Sequence, residues 1–110
     1  MNYTIHYYDP SVKADINALP TGLRVRYAVL PKRMVDIGAN LGEPHSKAFG
    51  NGLFELRLKS EEGIARVLYC TLVGRKIVML HSFVKKTQKT PLKELRIAEA
   101  RMKEIKHDAR

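Results

Sequence analysis

Leu53-Phe54-Glu55-Leu56-Arg57-Leu58-Lys59 alternates apolar and polar side chains from Phe54 onward. Side chains leave a β-strand on opposite faces in turn, so a period of two puts Phe54, Leu56 and Leu58 on one face and Glu55, Arg57 and Lys59 on the other. Ser60-Glu61-Glu62-Gly63 reads as a polar turn, Ile64 to Val73 as a second strand, Gly74-Arg75 as a tight turn and Lys76 to Lys85 as a third strand. Three such runs joined by short turns predict an antiparallel meander.

Outward from the meander the period changes. Gly38 to Gly52 holds four glycines and a proline and reads as a loop. Before it, Leu23, Tyr27, Leu30, Met34, Ile37 and Leu41 recur at steps of four and three, the stripe of a helix that packs on one face. Pro31 interrupts it. An interior proline removes a hydrogen bond and clashes with the preceding turn, so a kink or a break into two helices is expected there. Arg24, Arg26, Lys32 and Arg33 occupy the other side, read as a solvated face. Upstream, residues 3–7 are β-prone, Asp9-Pro10 is an N-cap followed by proline at the first helical position, and Val12, Ile16 and Leu19 mark a helix that Pro20 closes. Downstream, Thr90-Pro91 repeats that start, and Leu92, Leu95, Met102 and Ile105 define a C-terminal amphipathic helix. The order β-α-α-β-β-β-α predicts one α+β domain over residues 1–110: a small antiparallel sheet with the N-terminal helices and the C-terminal helix on one face of it.

The 110 residues carry 20 Lys+Arg against 11 Asp+Glu, a formal charge of +9. That excess points to a polyanionic partner, nucleic acid first and an anionic membrane surface second. A hydrophobic content of 45% excludes a disordered basic tail. One cysteine, Cys70, excludes an internal disulfide and a multi-cysteine zinc cage, and fits a reducing compartment. No stretch approaches the ~20 apolar residues of a membrane span, and the N-terminus lacks the pattern of a secretory signal. The expectation is a cytoplasmic protein with no membrane partner.

Metal and nucleotide chemistry find little support in the spacing. His6, His45, His81 and His107 are dispersed, and Gly50-Asn51-Gly52 precedes a strand where a phosphate-binding loop needs a helix. Cys70, mid-strand, reads as a small buried hydrophobe. What remains is cationic. From Arg75 to Lys89 there are five basic side chains and no acid. Lys85-Lys86-Thr87-Gln88-Lys89-Thr90 lies where a strand hands over to a helix, so side chains and helix amides could converge on a phosphate. Arg57 and Arg66 on neighbouring strands would extend this into a groove across the sheet. A solvated loop accounts for Lys85 to Lys89 as well, and a salt bridge to Glu55 for Arg57. Arg66 interrupts an apolar strand and needs an acid, a carbonyl or a ligand phosphate.

Three blocks carry a resemblance: Leu53 to Arg57, Ala65-Arg66-Val67-Leu68-Tyr69, and Leu80-His81-Ser82-Phe83-Val84-Lys85-Lys86-Thr87-Gln88-Lys89-Thr90-Pro91. Together they resemble the phage-derived Gp49-like (HigB-like) branch of the RelE/ParE toxin superfamily, and the helical segments fall in the matching order. The resemblance implies a RelE-like fold and the toxin of a type II toxin–antitoxin pair. Such a toxin is an endoribonuclease that cuts mRNA on the ribosome and so inhibits translation, its partner a cognate helix-turn-helix antitoxin. Cleavage without metal or other cofactor uses the 2′-hydroxyl as internal nucleophile, so the protein must supply a base, charge stabilisation at the phosphate and an acid. No histidine pair is placed for this, which leaves lysines. Lys85, Lys86 and Lys89 crowd one another, and neighbouring cations lower a lysine's pKa.

By position, Lys86 resembles the cationic residue at the leaving group, and Arg57 and Arg66 resemble phosphate-binding arginines. Lys85 belongs to the same catalytic set; Lys89 and Thr87 are candidate substrate contacts, and Phe83 or Tyr69 candidate stacking partners for a base. Strict alternation puts Arg66 and Tyr69 on opposite faces, so a bulge would be needed for both to reach one substrate. Pro91-Leu92 stands where some relatives carry a tyrosine, which shifts weight onto lysine. The competing class is a non-catalytic module that binds nucleic acid or protein, including a ParE-like inhibitor of a DNA topoisomerase.

Overall fold

The computed structural model describes residues 2–86 and 89–108. Five strands form one sheet: β1 (Thr4–Tyr7), β2 (Ser46–Gly50), β3 (Leu53–Ser60), β4 (Gly63–Leu72) and β5 (Lys76–Lys85), in the spatial order β1-β5-β4-β3-β2. Strands β2 to β5 pair antiparallel with their chain neighbours, as the alternating pattern requires. Strand β1 instead pairs parallel with β5, Thr4 opposite Lys76 and Tyr7 opposite Met79. The fold is α+β, with three helices: α1 (Pro10–Asn17), α2 (Thr21–Ile37) and α3 (Leu92–Asp108).

Two features of the expected layout are corrected. The helices cover both faces of the sheet. On one face Val12 and Ile16 of α1 and Leu23, Leu30 and Met34 of α2 bury Leu56, Leu58, Val67, Tyr69, Ile77 and Met79. On the other, Ala98 of α3, flanked by Leu95, Met102 and Ile105, covers Leu53, Leu68, Cys70, Val78 and Leu80. Strand β4 is therefore buried on both sides from Ala65 to Cys70, and each fully buried aliphatic side chain contributes roughly 1.5–3 kcal/mol of transfer free energy. Burial holds Cys70 as a protonated thiol with its pKa pushed up to about 11, in keeping with a core role. The second correction is β2, which forms inside the glycine-rich stretch read as loop. Its few residues carry too little alternation to be seen, and Gly50, Asn51 and Gly52, all at positive φ, make the turn into β3.

Helix α2 neither breaks nor divides at Pro31, and runs unbroken to Ile37. The proline is itself buried beside Leu30 and Met34, so packing on β3, β4 and β1 outweighs the ~3 kcal/mol cost of an interior proline. The stripe ends earlier than its spacing predicts: Ile37 is exposed and Leu41 lies past the helix. At its start, α2 has no side-chain cap from Pro20. The Glu62 carboxylate, from the β3–β4 turn, accepts the Gly22 N–H instead. That approach requires glycine, since a Cβ there would lie 2.9 Å from the Ser60 side chain. Asp9 caps α1 as expected, accepting from the Val12 amide at 3.1 Å. No helix among the described residues is long and apolar enough to cross a membrane.

Candidate functional site

A β-bulge sets which side chains share the α3 face. In the β4–β5 ladder Cys70 is opposite Val78 and Tyr69 opposite Met79, but Leu68 is opposite His81, so Leu80 is an extra residue on β5. Val78 and Leu80 both join the core beneath α3. Strict alternation from Leu80 would send His81, Phe83 and Lys85 to the α1–α2 side; the extra residue reverses the phase and puts all three on the α3 side. There Phe83 is opposite Arg66 and Lys85 opposite Ile64, while Arg57 is opposite Arg66 in the β3–β4 ladder. Lys47 of β2 is opposite Glu55 and joins the same face.

Glu55 is the centre of this cluster. It is buried, and its carboxylate accepts from Arg57 Nε at 3.3 Å and from the Thr90 hydroxyl, with the Arg66 guanidinium 3.4 Å away as an ion-pair partner. A carboxylate withdrawn from water needs such donors. Arg57 also reaches the exposed Glu43 at 3.2 Å. Arg66 is buried as well and donates from Nη1 to the Ala65 carbonyl at 3.2 Å. Its Nε is close to Glu55 but not aimed at it, and among the described residues it has no hydrogen-bond acceptor. Burial pulls the Arg66 pKa down while Glu55 pulls it up; an arginine stays charged regardless.

Two cavities meet at Arg57. The first, about 280 Å³, is lined by Lys47, Phe49, Glu55, Arg57, Lys85, Lys89, Thr90 and Leu95. The second, about 420 Å³, is lined by Arg26, Pro44, His45, Arg57, Lys59, Ile64 and Arg66. The Lys85 ammonium has its proton loosened: burial lowers its pKa most and Arg66 next, with Arg57 and Lys47 adding to this, against an opposing pull from Glu55. Crowding therefore acts on Lys85 through the cations of the sheet face.

The expected site residues separate accordingly. Arg57, Arg66 and Lys85 share one face; Lys85 and Lys89 line the first cavity, Arg66 the second, and Arg57 both. Lys86 is exposed just past the end of β5 and lines neither cavity. Thr87 lies outside the described residues. Phe83 shares the face, half-buried and stacked on His81 at 6.0 Å between ring centroids, with His81 in turn 3.2 Å from Glu94 of α3. Tyr69 is corrected: it belongs to the α1–α2 core, fully buried, stacked on Phe54 and donating its hydroxyl to the Ala39 carbonyl at 2.6 Å. The bulge lies on β5, not β4, so Tyr69 stays opposite in face to Arg66. Of the alternatives for Arg66, the acid and the carbonyl are both present.

Sequence reasoning missed Lys47, because β2 was read as loop, and Arg26 and His45, which only the tertiary fold brings to Arg57. It also took Glu55 for a surface partner. The apolar run Val67 to Cys70 of β4 opposite it was the available signal, since a strand buried on both faces buries its neighbour's polar positions too. Among the described residues no group of three or more His, Cys, Asp or Glu is arranged to hold a metal ion.

Comparison with curated proteins finds no match. A family model does match, over residues 14–103, a span from within α1 to near the end of α3 that contains every strand bounding the two cavities. By that match the chain belongs to the family described as phage derived protein Gp49-like (DUF891).

Proposed function

We propose that this protein is the toxin of a type II toxin–antitoxin pair, an endoribonuclease that cleaves mRNA on the ribosome without metal. The observation that carries the reading is the basic face itself: Arg57, Arg66, Lys47, Lys85 and Lys89 gathered around two cavities, with the Lys85 pKa held down by burial and neighbouring cations. In this mechanism the neutral Lys85 amine takes the proton from the 2′-hydroxyl. The freed oxygen attacks the adjacent phosphorus, and the bond from phosphorus to the 5′-oxygen breaks. Lys86, exposed just past the end of β5, is given the role of protonating that oxygen, leaving a 2′,3′-cyclic phosphate and a 5′-hydroxyl. Charge builds on the phosphate oxygens as the bond forms, and the Arg57 and Arg66 guanidinium groups face that charge. The antitoxin, a helix-turn-helix protein, would act by covering this face.

Primer extension on mRNA in a translating extract tests the reading. The expected result is cuts that appear only with ribosomes present and vanish in the Lys86→Ala, Arg66→Ala double variant. Uncut mRNA with the intact protein would reject it. One observation favours the competing class of non-catalytic nucleic-acid or protein binder, topoisomerase inhibition included: Glu55 already engages both arginines. Salt-sensitive RNA or DNA binding without cleavage would select that class.

A further inference from the structure

The second cavity is the more electropositive of the two, and the roles given to Arg57, Arg66, Lys85 and Lys86 leave its other cations, Arg26 and Lys59, unused. Four cationic side chains line it, Arg26 from α2, Arg57 and Lys59 from β3, and Arg66 from β4, and no acid does. The first cavity, by contrast, contains Glu55. Glu55 and Glu43 offset part of the charge of Arg57 and Arg66, but four cations around a shared volume that no acid lines still raise its potential and favour an anion there. Arg66 adds a second observation: it is more than nine-tenths buried, and its Nε, though 3.4 Å from Glu55, makes no hydrogen bond among the described residues. Buried guanidinium nitrogens are ordinarily satisfied. At about 420 Å³ the cavity falls in the ~300–1,000 Å³ range of small-ligand sites. His45 is among the lining residues, and its carbonyl is fixed by the Arg57 amide at 2.8 Å. An aromatic ring beside cations suits a nucleotide, whose base stacks while its phosphate is neutralised.

We propose that this cavity is a second nucleotide subsite, which binds the phosphate next to the one held in the first cavity and stacks the intervening base on His45. The proposal rests on the reading of the basic face as an RNA site and names Arg26, Lys59 and His45 as binding residues for it. Arg57, lining both cavities, is the divider between consecutive phosphates of one strand.

The test is binding of a single-stranded 2′-O-methyl RNA oligonucleotide, which cannot be cut, by the intact protein across a salt series. The logarithm of the binding constant falls with the logarithm of salt by ≈ 0.7 for each phosphate neutralised on a single strand. The Arg26→Gln, Lys59→Gln double variant should lower that slope by about 0.7, and His45→Ala should weaken binding with the slope unchanged. The Lys47→Gln, Lys89→Gln variant reports separately on the first cavity. A slope lowered by Lys47→Gln, Lys89→Gln but untouched by Arg26→Gln, Lys59→Gln overturns the second subsite and leaves the RNA reading in place. No salt-dependent binding by the unaltered protein overturns both. Thermal unfolding of each variant establishes that it is folded, and Arg26→Lys with Lys59→Arg, which keeps both charges, should restore the slope.

Discussion

At the scale of single residues, the decisive contrast is between neighbours. Lys85 and Lys86 are indistinguishable in a string of letters, yet one points into the cation-lined cavity and the other stands exposed beyond the strand. Burial and the nearby charges of Arg66, Arg57 and Lys47 lower the Lys85 pKa. A general base must be neutral to accept a proton, so a lowered pKa enlarges the active fraction at any pH beneath it. Cleavage should then rise with pH and level off below the ordinary lysine value of about 10.4. Lys85→Gln should reduce the rate by about 10²-fold or more, and Lys85→Arg should not rescue it, because guanidinium does not give up its proton. Lys47→Gln removes one of the charges that lower the pKa and should move the rising limb to higher pH, measured as single-turnover rate against pH. The sequence made Arg57, Arg66 and Lys85 legible as charges in an apolar setting. It could not show that Glu55 lies among them, because alternation assigns a face without saying whether that face meets water or a helix.

At the scale of elements, strand and helix positions were largely readable, since periods of two and of three to four follow directly from backbone geometry. Strand β5 was placed at Lys76–Lys85 from its pattern alone. Its bulge was not, because the run from Ile77 to Leu80 is apolar throughout and a phase change in such a run leaves no trace. Yet the bulge decides the site: it sends Phe83 and Lys85 to the face that carries Arg57 and Arg66. Deletion of Leu80 should return the strand to strict alternation and carry Lys85 to the wrong side of the sheet. The expected outcome is a folded protein, judged by far-ultraviolet circular dichroism, in which cleavage and RNA binding fall together to the level of Lys85→Gln. Full activity in the deletion variant would mean that Lys85 works from elsewhere. Helix α2 taught the converse lesson: Pro31 was visible, but the burial that overrides its cost was not.

At the scale of the whole molecule, the charge of +9 becomes intelligible as a distribution, concentrated where β3, β4, β5 and α2 surround the two cavities. The layering was misjudged because an antiparallel meander needs only one covered face, while this sheet has both covered and adds a parallel strand at its edge. Parallel closure from the chain's start to its fifth strand cannot be inferred from local pattern, as it joins residues that are remote in sequence. A chain ending at residue 75 lacks β5, the strand that holds both β1 and β4, and should show neither a cooperative melting transition nor RNA binding. The same pairing orders events in time. As the chain leaves the ribosome, β1 emerges first and has no partner until Lys76 to Met79 follow it, and Lys85 arrives later still. Under the proposed function the nascent chain is thus inert until β5 has emerged, so a ribosome translating its message meets no assembled site before that strand has been made.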